Sequence, residues 1–64
     1  MTQKELSYVE DAVGHEKNII SILNLSIEEL ENDDLKNFLN NHLESHQTLY
    51  DNLIKLLEEQ SNEG

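Results

Sequence analysis

Three side chains able to bind a metal belong to two series of residues that recur at spacings of three and four in this sequence. His42 and His46 are four residues apart, and a helix presents two side chains at that spacing on one face, where both imidazoles reach one ion. Glu16 supplies a carboxylate in the first half of the chain. Imidazole and carboxylate ligands suit zinc, iron or manganese. The sequence therefore predicts a metal site formed by Glu16, His42 and His46.

The same three residues also have a purely structural interpretation. A buried polar side chain needs a hydrogen-bond partner. Histidines bonded to Glu16 or to each other would fix the register of two helices, as polar residues do in coiled coils. A third alternative is that both histidines are exposed to solvent. His15 falls outside the apolar pattern and is expected at the surface.

Two long amphipathic helices are predicted to position these side chains. Residues recur at spacings of three and four in each half of the chain, which is typical of one stripe along a helix. The first stripe is Leu6, Val9, Val13, Glu16, Ile20, Leu23, Ile27 and Leu30, and the second is Leu35, Leu39, His42, His46, Leu49, Leu53 and Leu56. The chain has no proline and two glycines, so an all-α fold is expected.

Local signals predict where the helices begin and end. Thr2 and Glu5 have the spacing of a capping box, so the first helix is expected to begin at about residue 3. We expect it to continue to about residue 31, with a break near Ser26 as the alternative. Asn32 is expected to cap a second helix over about residues 33–59. Residues 60–64 are expected to form a polar tail, and residues 1–64 form one domain.

Equal helices joined by a short turn predict an antiparallel helical hairpin. With the turn at residues 32–33, the numbers of facing residues total about 65. Leu23 then faces His42, and Glu16 lies near Leu49. Glu16 and His46 are offset by about one helical turn, within reach of each other.

The chain is too short to bury a sizeable core by itself. Domains of about 60 residues bury only about 60% of their unfolded surface. The sequence has no cysteine to form a disulfide, so a missing core must come from association, a partner or a metal. We therefore expect a homodimer in which two hairpins form a four-helix bundle.

The charge balance excludes several classes of partner. Fourteen acidic residues against four lysines give a formal net charge of −10, which repels nucleic acid and anionic lipid. No apolar run approaches the roughly 20 residues of a membrane span. The opening residues lack the regions of a signal peptide. We expect a cytoplasmic protein that binds neither nucleic acid nor membrane.

The sequence offers no recognisable catalytic apparatus. There is no cysteine and no glycine-rich phosphate loop. The serines have no evident base with an orienting residue, as a hydrolase triad requires. We therefore expect a protein that is not an enzyme.

Several short runs resemble a known family. They are Glu5-Leu6-Ser7-Tyr8-Val9-Glu10-Asp11-Ala12, Glu16-Lys17, Asp34-Leu35-Lys36, and His46-Gln47 followed by Leu49 and Leu53. With these runs the chain looks like short clostridial and bacillar proteins related to the spore coat protein F family. The resemblance implies a ferritin-like helical protein, and such bundles bind metals through glutamates and Glu-x-x-His pairs. Three residues before His46, where a Glu-x-x-His pair has its glutamate, this chain has Leu43.

These observations lead to three functional hypotheses. The first is a non-enzymatic structural or assembly protein that acts as a helical homodimer, associated with the spore coat and its other proteins. The second is a ferritin-like metal-binding protein with a site shared across the bundle. The third is a small acidic regulator whose apolar stripe pairs with a helix of another protein.

Overall fold

The computed structural model describes residues 1–63, with side chains as far as Gln60. Helix α1 spans Gln3–Glu29 and helix α2 spans Asp33–Glu63. The two helices pack against each other as a hairpin, and no strand occurs over residues 1–63. The predicted all-α helical hairpin is confirmed.

The beginnings of both helices are fixed by the predicted caps. The Thr2 hydroxyl accepts a hydrogen bond from the Glu5 amide at 3.1 Å, and the Glu5 carboxylate accepts one from the Thr2 amide at 2.7 Å. These bonds, the backbone one first, lower the pKa of Glu5 below its ordinary value. Asn32 Oδ1 accepts a hydrogen bond from the Leu35 amide at 2.9 Å. Both caps confirm the sequence-based assignment.

The ends of the helices differ from the prediction. Helix α1 stops at Glu29, two residues early, and Leu30 is extended with its amide donating to the Ser26 carbonyl at 3.1 Å. Acidic residues close to a helix C-terminus oppose its dipole, which favours an early end. Helix α2 continues to Glu63 instead of about residue 59, because nothing in Gln60–Glu63 breaks a helix. Residues 60–63, which we predicted as part of a polar tail, are therefore helical, and Gly64 lies outside the described residues.

The early turn changes the register of the hairpin. Its connection is residues 30–32, and Glu16 faces His46 instead of Leu49. The numbers of this pair total 62, three less than predicted. Met1 and Gln60 obey the same register, because the terminal ammonium donates to Gln60 Oε1 at 3.3 Å. The prediction that Glu16 lies near Leu49 is therefore wrong by almost one helical turn.

The shifted register also changes which stripe of α2 faces α1. Leu39, Leu43, His46, Tyr50 and Leu53 are all partly buried. Leu35, His42 and Leu49, which the sequence analysis assigned to the inner stripe, are exposed. At several positions, the residue that faces α1 is therefore the one that follows the predicted residue, such as Leu43 in place of His42 and Tyr50 in place of Leu49.

The hairpin is elongated and encloses little. Its dimensions are 48 × 14 × 12 Å and its radius of gyration is 14.7 Å, against about 11 Å for a globular domain of this length. Among the side chains that the structure describes, no hydrophobic one is fully buried. Over residues 1–63, neither helix combines the length and the hydrophobicity needed to cross a membrane.

Candidate functional site

The most buried residue of the hairpin is a carboxylate near the middle of α1. Glu16 is 7% exposed, and its Oε2 lies 2.5 Å from His46 Nδ1 on α2. The flanking residues Val13, Ile20 and Leu43 are partly buried. An ionised carboxylate only accepts hydrogen bonds, so Nδ1 carries the hydrogen when Glu16 is ionised. The hydrogen bond joins the two helices halfway along their length.

This pair satisfies the polar groups in the seam between the helices. No buried side-chain nitrogen or oxygen is without a partner in the part of the chain whose side chains are described. Polar pairs in apolar seams specify register, since any slip leaves both groups unpaired in a low-dielectric layer. A slip of one helical turn would put Leu49 or His42 at the level of Glu16.

His42 does not join Glu16 and His46. It is exposed on the outside of α2, where its ring packs edge-on against Phe38 with ring centroids 4.7 Å apart. Within the described residues, no three His, Cys, Asp or Glu side chains are arranged to hold a metal ion. The predicted triad therefore does not assemble in a single chain, and only its Glu16–His46 pair is formed.

The exposed hydrophobic residues form a second candidate site. Leu25 is 64% exposed and Phe38 is 59% exposed. We call apolar face the set of all seven large hydrophobic side chains that the structure leaves exposed: Met1, Tyr8, Ile22, Leu25, Leu35, Phe38 and Leu49. Sequence analysis missed Ile22 and Leu25, because they lie outside its stripe of α1. Met1, Tyr8 and Ile22 repeat at multiples of seven, a signal that would have found a second apolar stripe.

Most members of the apolar face lie on one flank of the seam by helical periodicity, but Leu25 lies opposite the seam, since it follows Glu16 by nine residues, about two and a half turns. Helical periodicity places Tyr8 and Ile22 on one flank of the α1 seam, and Glu10 and Lys17 on the other. In an antiparallel pair, the matching flank of α2 carries Leu35, Phe38 and Leu49. Surface grooves identify the opposite side, since Lys17 and Ile20 line one with Gln47, Tyr50 and Asp51, and Leu6 and Glu10 line another with Leu57 and Gln60.

The charges are distributed unevenly along the hairpin. Five acidic residues surround the turn, with Lys36 as the nearest base: Glu28, Glu29, Glu31, Asp33 and Asp34. The other end carries Lys4, Lys55 and the Met1 ammonium. The same end also carries Glu5, Glu10, Asp11, Glu58 and Glu59, so acidic residues outnumber basic ones at both ends of the hairpin.

Comparison of this chain with protein-family models, with curated proteins and with solved structures finds no match. The resemblance to the spore coat protein F family remains a prediction from the sequence.

Proposed function

We propose that this chain is a non-enzymatic structural or assembly protein that acts as a homodimer of helical hairpins forming a four-helix bundle. The observation that carries the proposal is a contrast: among the side chains described, no hydrophobic one is fully buried, and seven large hydrophobic ones are exposed. A second copy is present wherever the first is, and it supplies the missing half of the core.

The dimensions of the hairpin support the proposal. A face of 48 × 14 Å corresponds to roughly 670 Å² per copy, or roughly 1,300 Å² in a dimer. Stable protein interfaces bury about 1,200–2,000 Å² in total. One pair of hairpins thus reaches the size class of a specific interface.

The resemblance to the spore coat protein F family supplies the proposed setting, which is assembly into the spore coat together with other coat proteins. In sporulating cells of the source organism, the chain should be recovered with the coat fraction. Its recovery only in the soluble cytoplasmic fraction would refute the coat association and leave the dimer standing.

Sedimentation equilibrium tests the dimer itself. At micromolar concentration the expected mass is twice that of one chain, with dissociation on dilution. A folded monomer that persists at millimolar concentration would refute the proposal. Copurification at fixed stoichiometry with one different protein, in place of a second copy, would instead support the third hypothesis, a regulator that pairs its apolar surface with a partner helix.

The alternative function, a ferritin-like metal-binding protein, is favoured by the Glu16–His46 pair. A carboxylate beside an imidazole in an apolar seam supplies two ligands of the kind that zinc, iron and manganese accept. The pair lies halfway along the hairpin, so an in-register dimer brings two pairs to the same level. His42 lies on the exposed stripe of α2 with Leu35 and Leu49 and is not part of this pair.

Metal selectivity tests this alternative. Near-stoichiometric zinc should raise the melting temperature where magnesium does not, because an ion that binds only the folded dimer stabilises it. His46→Ala should remove the difference. Equal stabilisation by zinc and magnesium would indicate general screening of the acidic surface and would refute the site.

A further inference from the structure

We infer that two copies associate through the middle of the hairpin, where neither helix carries net charge, and that added salt strengthens their association. The inference rests on the proposed homodimer, and it adds where the two copies touch and which force opposes them. We call neutral segments residues 12–27 of α1 and residues 35–50 of α2. Three observations carry the inference: the distribution of charge, the register that brings the neutral segments together, and the hydrophobic side chains that they expose on one flank.

The neutral segments contribute nothing to the net charge of the chain. In the segment of α1, Glu16 is balanced by Lys17, and in the segment of α2, Glu44 is balanced by Lys36. The rest of the chain therefore carries the whole formal charge of −10. This charge is −2 in residues 1–11, −5 in residues 28–34 and −3 in residues 51–64. Both ends of the hairpin are thus acidic, and its middle is neutral.

The fold brings the two neutral segments to the same level. Glu16 faces His46, so in an antiparallel hairpin Ala12 comes level with Tyr50, and Ile27 comes level with Leu35. The neutral part of α1 therefore lies alongside the neutral part of α2 from one end to the other, over about 24 Å at about 1.5 Å per residue. The hairpin thus has a neutral middle on both helices at once.

The charged side chains of the neutral segments lie away from the flank that carries Phe38. Lys17 lines a groove on the opposite flank together with Asp51. Glu44 precedes Asp51 by seven residues and so shares its side of α2. Lys36 precedes Leu43 of the inner stripe by seven residues and is partly buried. The flank therefore presents no formal charge along the neutral segments, and its large exposed hydrophobic side chains there are Ile22, Leu35, Phe38 and Leu49.

A second copy is the partner that fits this surface. Two chains of charge −10 repel each other, and the neutral segments allow them to touch without opposing formal charges. The acidic ends continue to repel each other in the dimer, and salt screens that repulsion, since the Debye length falls from about 30 Å at 0.01 M to about 10 Å at 0.1 M. A basic partner would instead bind the acidic ends and be released by salt.

The salt dependence of the dimer is the first test. Sedimentation equilibrium should show the dissociation constant of the dimer falling about tenfold as sodium chloride rises from about 0.01 M to about 0.1 M. A dissociation constant that stays the same or rises over this range would overturn the inference, because it would show that repulsion between the acidic ends does not oppose association. A chain that is monomeric at every salt concentration would refute the proposed homodimer as well.

Insertion of a positive charge is the second test, and α2 offers a matched pair of positions. Ser45 and Thr48 are both exposed, and each hydroxyl donates to the backbone carbonyl four residues earlier, at 3.2 and 3.1 Å. Ser45 follows Phe38 by seven residues and so shares its side of α2. Thr48 follows His46 by two residues, more than half a turn, and so lies on the side away from α1.

The two lysine variants should change the dissociation constant in opposite directions. Ser45→Lys should raise it at least about tenfold, although the chain becomes less negative, because docking removes water from the new ammonium group. Thr48→Lys makes the same charge change outside the contact and should lower it about twofold by reducing the repulsion. Ser45→Glu should weaken the dimer as well. Circular dichroism should show unchanged helix content in all three variants.

The outcomes separate the inference from the proposed function. If Ser45→Lys tightens the dimer as Thr48→Lys does, net charge alone governs association, and the inferred surface is wrong while the homodimer stands. If Thr48→Lys weakens the dimer as much as Ser45→Lys, the contact does not distinguish the two sides of α2, and the inference again fails. Opposite effects of the two lysine variants, together with tighter association in salt, are the result that the inference requires.

Discussion

The seam between the helices and the apolar face on their flank have opposite characters. In the seam, the most buried residue is Glu16, which is paired with His46. On the apolar face, side chains such as Leu25 and Phe38 remain mostly exposed. Soluble proteins usually bury large hydrophobic side chains and pair any carboxylate that they bury. In the seam the buried carboxylate is paired, as expected, whereas on the apolar face large hydrophobic side chains are left exposed.

The contrast indicates what each region contributes. A hydrogen-bonded polar pair adds little net stability but fixes which residues face each other. Apolar contact supplies most of the free energy of folding and association, without direction. In this hairpin the seam therefore specifies the register, and in the proposed dimer the apolar face is the area that association would bury.

The largest expected effect is on the apolar face. Burying a phenylalanine contributes about 1.5–3 kcal/mol, and a dimer contains two copies of the site. Phe38→Ala should therefore raise the dimer dissociation constant at least about 100-fold, measured by sedimentation. Ile54→Ala is the control, because Ile54 lies seven residues beyond Gln47 on the opposite side. A similar loss of dimer in both variants would show that the two sides do not differ.

The seam should respond differently to loss of one partner and loss of both. His46→Leu leaves Glu16 buried without its hydrogen bond, which should cost about 2 kcal/mol, less than for a fully buried pair because the His46 side chain is 29% exposed. Glu16→Leu/His46→Leu should be at least as stable as the wild type. Chemical denaturation measures both. Additive losses in the double variant would instead mean that the two side chains contribute independently and that their hydrogen bond is not what couples them.

A substitution at the exposed Gly14 should stabilise the hairpin without altering any side-chain contact. Gly14 is exposed in the interior of α1, and a Cβ added there meets no atom within 4 Å. Gly14→Ala should raise the free energy of unfolding by about 1 kcal/mol per chain through helix propensity. The dimer interface should be unaffected. A destabilised Gly14→Ala variant would indicate that this surface contacts another molecule.

The smallest expected effect is at the α1 cap, far from both regions. In the folded chain the hydrogen bonds to Thr2, the backbone one first, lower the pKa of Glu5 below its ordinary value. The stabilisation that the Glu5 carboxylate gives the fold is therefore present above its pKa in the unfolded chain, and it is lost as the pH falls through its pKa in the folded chain. An NMR titration should show a higher pKa for Glu5 in Thr2→Ala, because the hydrogen bond with the hydroxyl is lost while the one with the backbone amide can remain. An unchanged pKa would show that the capping box does not persist in solution.

Periodicity and caps were enough to predict the hairpin. The three-and-four spacing specifies helices, and the Thr2–Glu5 and Asn32 caps set where each begins. The candidate site was predicted less well. Its error began at the turn, where the end of α1 at Glu29 in place of residue 31 shifted the facing register by three.

The sequence of α2 does not predict this shift in register, because α2 carries hydrophobic residues on two adjacent stripes. Leu35, His42 and Leu49 form one, and Leu43, Tyr50 and Leu57 belong to the other. Either stripe would serve as the inner face of a hairpin. A single sequence does not show which of the two stripes faces α1, because both have the periodicity of an inner face. His42 was assigned to the seam for this reason.

The central claim is that the hairpin obtains its hydrophobic core from a second copy, and the dependence of its thermal unfolding on protein concentration tests that claim directly. When folding and dimerisation are coupled, the dimer is favoured by mass action. The melting temperature, followed by circular dichroism, should then rise steadily as the chain concentration increases from about 1 to about 100 μM. A cooperative transition whose midpoint stays constant over that range would contradict the account, because it would show that one hairpin is stable without a second copy.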